Sequence, residues 1–278
     1  MPELPEVEVT RRGIDEPLRG AQVLALRLGK ALRWPLGVAP EALVGSRLLP
    51  VQRRGKYLWL PVVPGPQGGC GGGLLLHLGM SGSLALQPAD TLPGAHDHFD
   101  LVTTQGTLRL TDPRRFGAVV WSPSIADEPA SRLLAALGPE PFDETLTPAT
   151  FHAALQRHRA PVKAVLLSGR IVVGAGNIYA CEALHEAGIH PATPCERIGP
   201  QRAARLLQAL RETLARAIAL GGSTLRDFRD VHGMSGAFQQ HARVYGREGQ
   251  ACPRCGAAVR RIVQGQRATY YCAACQRR

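Results

Sequence analysis

CPRCGAAVRRIVQGQRATYYCAAC, residues 252–275, is the stretch from which the rest of the chain can be read. Cys252/Cys255 and Cys272/Cys275 each have Cys-x2-Cys spacing, so each pair can form a knuckle, and together they complete a tetrahedral Zn2+ site with no open position. The spacing therefore predicts one structural metal, not a catalytic one. Between the pairs, 259–263 (VRRIV) and 268–271 (ATYY) read as two strands, with Gln264, Gly265, Gln266 and Arg267 at the turn. A metal at the hairpin base would hold Arg267 out at its tip. A generic ribbon for protein contacts is the competing reading, and charge disfavours it. From Arg243 to Arg278 there are eight arginines and one acid, Glu248, so the segment stays positive even with a thiolate–zinc site at −2.

The bias extends to the whole chain. Its 278 residues carry 33 Lys plus Arg against 22 Asp plus Glu, a net charge of +11. Each basic side chain that meets a phosphate releases a condensed counterion, so the surplus points toward nucleic acid. No apolar run approaches the about 20 residues that span a bilayer, and MPELPEVEV carries acids where a signal peptide needs basic charge. The expectation is a cytoplasmic protein that does not enter membranes. Of seven cysteines, Cys70, Cys181 and Cys195 lie outside the paired spacing and read as small, inert thiols.

The pattern changes twice along the chain. Val7, Ile14 and Leu18 recur at helical spacing behind Pro5, Glu6 and Glu8, so the chain opens on a helix limited by Gly13 and Pro17. From about residue 22 to 121 short strands follow, among them 57–63, 74–78, 99–104, 107–111 and 117–121, which suits an antiparallel sandwich or barrel. The stretch 64–73, PGPQGGCGGG, has the glycines of a phosphate loop but no GK[ST] and no following helix, so it reads as a hairpin loop. Residues 122–146 read as a linker. Beyond it, 201–220 places Leu206, Leu207, Leu210, Leu214 and Ile218 on one helical face, and a second helix is expected from Ile178 to Ala187. The tight turn IVVGAGN, 171–177, is suited to presenting backbone N–H groups. The fold class is therefore α+β, in three parts: 1–135, 136–240 and 241–278.

The N-terminus reads first as a lead-in to the opening helix, and it also offers a nucleophile. Once Met1 is removed, Pro2 becomes a terminal secondary amine beside Glu3. An α-amino group titrates near neutrality, where a lysine does not, so it can attack carbon. A secondary amine that attacks a sugar C1′ can go on to an iminium ion, and Glu3 can serve as general acid if burial raises its pKa.

These residues, with MPELPEVE, QRRGKYL at 52–58, HLGMSGSL at 77–84, HDHFDL at 96–101, TDPRRFGA at 111–118, VVGAGNIYACEAL at 172–184, VYGREGQ at 244–250 and QRATYYC at 266–272, closely resemble the bacterial formamidopyrimidine-DNA glycosylase family over nearly the whole chain. The resemblance implies an N-terminal β-sandwich with flanking helices, a helix-two-turns-helix domain and a β-hairpin zinc ribbon. It implies a bifunctional glycosylase/AP lyase that excises 8-oxoguanine and formamidopyrimidines from double-stranded DNA. Pro2 would be the nucleophile, Glu3 the acid that opens the sugar ring, and Lys56 a lesion-proximal phosphate contact tied to β-elimination; Arg267 would bind phosphate and serve the last elimination. Met80, Arg114 and Phe116 would fill the gap left by the flipped nucleotide. His96, Arg159 and Asn177 would bind phosphate, with Arg157, His158 and Lys163 as competitors for the place of Arg159. Glu6 and Glu182 would support the site. The ribbon cysteines would hold one Zn2+, with no nucleotide cofactor, and the enzyme would be monomeric. Two alternatives stand beside this reading: an endonuclease VIII-like enzyme for oxidised pyrimidines, and a non-catalytic zinc-ribbon DNA binder. The stretch 229–239 is where a lesion-reading loop is expected.

Overall fold

The computed structural model describes residues 2–223 and 236–278. The chain forms two compact units, residues 1–135 with 221–237, and residues 136–220 with 238–278.

In the first unit, α1 (Leu4–Leu18) buries Val7, Ile14 and Leu18. Pro5 lies in its first turn, where a missing N–H costs nothing, and Pro17 lies one residue from its end. The described strands that follow are β1 (Val23–Leu28), β2 (Arg47–Leu48), β3 (Gln52–Arg54), β4 (Tyr57–Val63), β5 (Gly72–His77), β6 (Ser83–Gln87), β7 (Asp97–Thr103), β8 (Gly106–Thr111) and β9 (Ala118–Ser122). They make two antiparallel sheets, one ordered β2-β4-β5-β9 with β3 on β4, the other β1-β7-β8-β6. Side chains alternate across a strand, so Leu58, Leu60 and Val62 share one face of β4. They enter a core with Leu74, Leu76, Val119, Phe99, Leu101, Leu108 and Leu110 from both sheets, and with α1. That shared interior is a β-sandwich.

The opposite face of β4 and β5 carries Trp59 and Leu75, which are also buried. A strand pair with apolar residues on both sides needs a second cover, and α2 (Ala130–Leu134) supplies it through Ala130. The segment expected as a linker, 122–146, thus contains a packed helix. Residues 64–71 connect β4 to β5, as a hairpin loop should.

The second unit holds α3 (Pro148–Gln156), α4 (Val162–Ser168), α5 (Asn177–Glu186), α6 (Pro200–Ala219), β10 (Val259–Gln264) and β11 (Arg267–Cys272). The amphipathic pattern gives α6, with Leu206, Leu207, Leu210 and Leu214 buried. Its apolar face joins Phe151, Leu155, Leu166, Ile178 and Tyr179 in one helical core. Most of the expected lesion-reading stretch, 229–239, lies outside the described residues. Gly236 and Ala237 group with the first unit, and Phe238 is buried in the helical core of the second. Among the described residues no helix is long and apolar enough to cross a membrane.

Candidate active site

Pro2 is buried and leads into Glu3, the N-cap of α1. The Glu3 side chain accepts the Glu6 backbone N–H, and Glu6 Oε2 accepts the Glu3 N–H at 2.7 Å. This reciprocal pair is a capping box, and it fixes the chain direction at Pro2. The other oxygen, Glu6 Oε1, accepts the Ser223 N–H at 2.7 Å. Gly222 passes so close above that a Cβ there would meet Oε1 at 3.0 Å, and its φ of +81° is itself a glycine conformation. Glu6 therefore ties the N-terminus to residues 222–223. The pattern that could have revealed the box, Glu3-x-x-Glu6, is hard to recognise because capping boxes usually open on Ser or Thr.

Two contacts lay α1 along β3. Asp15 Oδ1 accepts the Val51 N–H at 2.7 Å, and Glu8 Oε2 accepts from Arg53 Nε at 3.0 Å. Burial on its own would raise the Glu8 pKa, but hydrogen bonds from Arg11, Arg12 and Arg53 outweigh it and hold the carboxyl below its ordinary value. Stepping from Asp15 to Glu8 advances the partner from Val51 to Arg53, so the first residues of the helix approach the Gly55-Lys56 turn. Pro2 and Lys56 accordingly stand at the same end of the α1–β3 pair. Lys56 is partly buried in the turn into β4, and its charge reaches His77 at the end of β5.

A second group gathers around one carboxylate. Asp112, fully buried, accepts Ser81 Oγ–H at 2.7 Å and the Arg114 N–H at 3.2 Å on Oδ1, and the Gly117 N–H at 2.7 Å on Oδ2. Its own N–H donates to the His96 carbonyl at 2.8 Å. One residue thus brackets the loops that carry Met80, Arg114 and Phe116, and sets His96 beside them. Gly79 makes this approach possible. Its φ is +66°, and a Cβ there would lie 2.5 Å from the Gly117 nitrogen. Gly79 N–H also donates to His77 Nδ1 at 3.0 Å. Met80 and Phe116 are each 43 % exposed although both are large apolar side chains. They line a 590 Å3 cleft with Arg33, His77, Gly79 and Arg115. The Arg114 guanidinium carbon lies 4.9 Å from the centre of the Phe116 ring, and His96 is exposed. Burial, and then the charges of Lys56 and Arg33, push the His77 pKa down to about 4.

In the second unit, Asn177 opens α5. Its Oδ1 accepts from Lys163 Nζ at 2.6 Å, and its Nδ2 donates to the Ala268 carbonyl at 2.9 Å. Lys163 also donates to Thr269 Oγ1 at 2.6 Å and has no exposed surface. Lys163 is thus a buried tie between α5 and the ribbon hairpin. Among its expected competitors, Arg157 is exposed and Arg159 is almost wholly so, the latter 3.7 Å from Glu196. Glu182 receives the backbone N–H groups of Arg243, Val244 and Tyr245, which fixes the segment leading into the ribbon.

The hairpin is built as its sequence predicts. Gly265 and Gln266 both have positive φ, +52° and +61°, the pattern of a two-residue type I′ turn, and Arg267 follows, exposed and paired with Gln264. At its base the Sγ atoms of Cys252, Cys255, Cys272 and Cys275 all lie within 4.8 Å of one another. Tetrahedral Zn2+ with Zn–S bonds of about 2.3 Å needs sulfurs roughly 3.8 Å apart, and the set fits. Four sulfur donors with no open position hold one structural Zn2+. No other group of described His, Cys, Asp and Glu residues is placed to bind a metal.

Three family models match the chain in order: the formamidopyrimidine-DNA glycosylase N-terminal domain over residues 1–119, the formamidopyrimidine-DNA glycosylase H2TH domain over 137–229, and the zinc finger found in FPG and IleRS over 249–278. The chain is 57% identical over 277 residues to formamidopyrimidine-DNA glycosylase of Variovorax paradoxus and 56% identical to that of Acidovorax sp. strain JS42, each alignment covering 100% of both chains. Among solved structures it is similar to MutM (FPG) from Thermus thermophilus, with a TM-score of 0.87, 39% identity and coverage of 99% and 98% of the two chains. It is also similar to MutM in complex with carbocyclic 8-oxo-G containing DNA, with a TM-score of 0.89, 32% identity and full coverage of both. The chain belongs to the formamidopyrimidine-DNA glycosylase family, the DNA glycosylases with AP lyase activity that remove oxidised purines in base excision repair.

Proposed function

We propose that this chain binds double-stranded DNA containing 8-oxoguanine or formamidopyrimidines, excises the damaged base and cuts the strand, with Pro2 as nucleophile. The observation that carries this reading is the placement of Pro2. It is buried directly ahead of the capped first turn of α1, at the same end of the α1–β3 pair as Lys56. In the proposed sequence the Pro2 nitrogen lone pair forms a bond to C1′ and the bond from C1′ to the base breaks, the base leaving with that electron pair and taking up the proton lost from the Pro2 nitrogen. The Glu3 carboxyl gives a proton to the sugar ring oxygen as the ring opens, leaving an iminium ion on Pro2. Loss of a C2′ proton then expels the 3′ phosphate, a second elimination expels the 5′ phosphate, and water releases Pro2. Lys56 is assigned to the lesion-proximal phosphate and the first elimination, and Arg267 to phosphate binding and the last. The capping box supports the role of Glu3 because it holds that residue, through Glu6, at one position beside the nucleophile.

Met80, Arg114 and Phe116 are assigned to the gap left by the flipped nucleotide. Their joint exposure around Asp112 supports this, since an apolar wedge must be held out from its own core. His96, Asn177 and Arg159 are assigned to phosphates. We assign catalysis to 1–135, which 221–237 join in one compact unit, and DNA gripping to the helices within 136–240 and to the ribbon 241–278, in the cytoplasm of a bacterium and as a monomer. Single-turnover kinetics on 8-oxoguanine duplexes test the central role: Pro2→Gly should cut at least about 100-fold more slowly than wild type, and an equal rate would overturn the assignment.

A further inference from the structure

His185 is fully buried near the end of α5, and its Nε2 lies 3.3 Å from Cys252 Sγ. One turn earlier on the same face, Cys181 is buried in the cluster formed by Cys252, Cys272, Val244 and Val259. This face of α5 is therefore the floor on which the ribbon rests. The backbone around the imidazole is also fixed from the ribbon side. Arg254, which lies between the first two cysteines, donates to the His185 and Glu186 carbonyls at 3.2 Å each and to Glu186 Oε1 at 3.2 Å. The backbone that carries the ring is thus fixed, and the ring's Nε2 faces the first sulfur of the metal site.

The direction of that contact follows from the chemistry of the sulfur. A thiolate bound to zinc has no proton to give, so it can only accept. His185 Nδ1 has no hydrogen-bond partner among the described residues. Were the proton on Nδ1, a buried N–H would be unsatisfied and the Nε2 lone pair would face the sulfur lone pairs, which is unfavourable on both counts. With the proton on Nε2, the N–H meets the thiolate and only a bare acceptor is left over.

We propose that His185 donates an Nε2–H···S hydrogen bond to the zinc-bound Cys252 thiolate and is a positioning residue for the metal. Such a bond draws electron density from the sulfur, which makes it less open to protonation and oxidation, and it fixes the sulfur where zinc requires it. It also makes α5 part of the metal site, so the helix that begins with Asn177 ends on the zinc.

The test uses the full-length zinc protein and three variants, His185→Phe, His185→Leu and His185→Gln. Phe and Leu remove the donor; Gln restores an N–H at similar reach. Zinc affinity is measured by competition with a chromophoric chelator, and sulfur donor strength from the sulfur-to-metal charge-transfer bands of the cobalt-substituted chain. His185→Phe and His185→Leu are expected to weaken zinc binding by about 10- to 100-fold and to move those bands to longer wavelength, and His185→Gln to recover most of both. Unchanged affinity and bands in the Phe and Leu variants would overturn the proposal, as would a Gln variant as impaired as they are, since packing would then be the only role. The wild-type protein gives a check that no variant's folding can spoil: the His185 ring-nitrogen chemical shifts should show the proton on Nε2, and a proton on Nδ1 would refute the bond.

Discussion

Removing the Asp112 carboxylate should unhook the loops of Met80, Arg114 and Phe116 while the sandwich stays folded. The carboxylate accepts from Ser81 Oγ, the Arg114 N–H and the Gly117 N–H. In Asp112→Ala the Gly117 N–H, buried in the first unit, is left without an acceptor at a cost of about 2 kcal/mol. Arg114 is exposed and Ser81 partly so, and water replaces most of what they lose, adding about 0.5 kcal/mol each. The expected loss is therefore about 3 kcal/mol. Asp112→Asn keeps a carbonyl oxygen for Gly117 while its amide can donate to Ser81 Oγ, so it should cost only about 1 kcal/mol. Urea unfolding gives the stability of each chain, with an unchanged slope as the sign that only stability has moved. Affinity for 8-oxoguanine duplex should fall at least about tenfold in Asp112→Ala, because the wedge side chains are no longer held together. An Ala variant within about 1 kcal/mol of wild type (about fivefold in the folding constant) and with full lesion affinity would refute the bracket. So would an Asn variant as damaged as Ala.

Other expectations follow from the same contacts. Lys163→Met should lower stability by about 2 kcal/mol by stranding Asn177 Oδ1 and removing the donor to Thr269 Oγ1, yet leave the salt dependence of DNA binding unchanged, because a buried ammonium releases no counterion; a log–log slope reduced by about one would make it a phosphate ligand instead. His77 is held neutral in the fold, with its pKa pushed down to about 4 from 6.5. Its contribution is full above pH 6.5 and is lost as pH falls toward 4, so acidification over that window should cost about 2 to 3 kcal/mol. His77→Asn should flatten the pH dependence of the urea midpoint, and an unaltered dependence would exclude His77 as its source. Cys272→Ala, or stripping of zinc with a chelator, should weaken duplex binding and release the hairpin; undiminished affinity in metal-free protein would separate the metal from DNA binding.

The sequence revealed what depends on local spacing. The paired cysteines and the QGQR turn locate the hairpin and Arg267, and the leucine periodicity of 201–220 gives α6 to within a residue. Strands β4, β5 and β7 to β9 are legible as short apolar runs bounded by Gly, Pro and Asp. What stayed hidden depends on residues distant in the chain. Asp112 works through Ser81, 31 positions away, Lys163 through Thr269, 106 away, and His185 through Cys252, 67 away. In sequence Lys163 is one more cation beside Arg157 and Arg159 and an equal candidate for phosphate; only its burial separates it from them. Helix α2 has the sequence of a linker because five residues are too few to show a period, and its reason for existing is the outer face of β4 and β5. The mechanism by which Glu6 supports the site is invisible in sequence, since its second oxygen is used by Ser223, 217 positions on.

Catalysis turns on which atom of the protein becomes bonded to the sugar. Borohydride reduction during turnover of an 8-oxoguanine duplex, followed by digestion and mass mapping of the protein–DNA adduct, identifies it directly. The predicted result is an adduct on the N-terminal peptide at the ring nitrogen of Pro2, on a chain that has lost Met1. An adduct on Lys56 or any other lysine, or full activity in a chain that retains Met1, would contradict it.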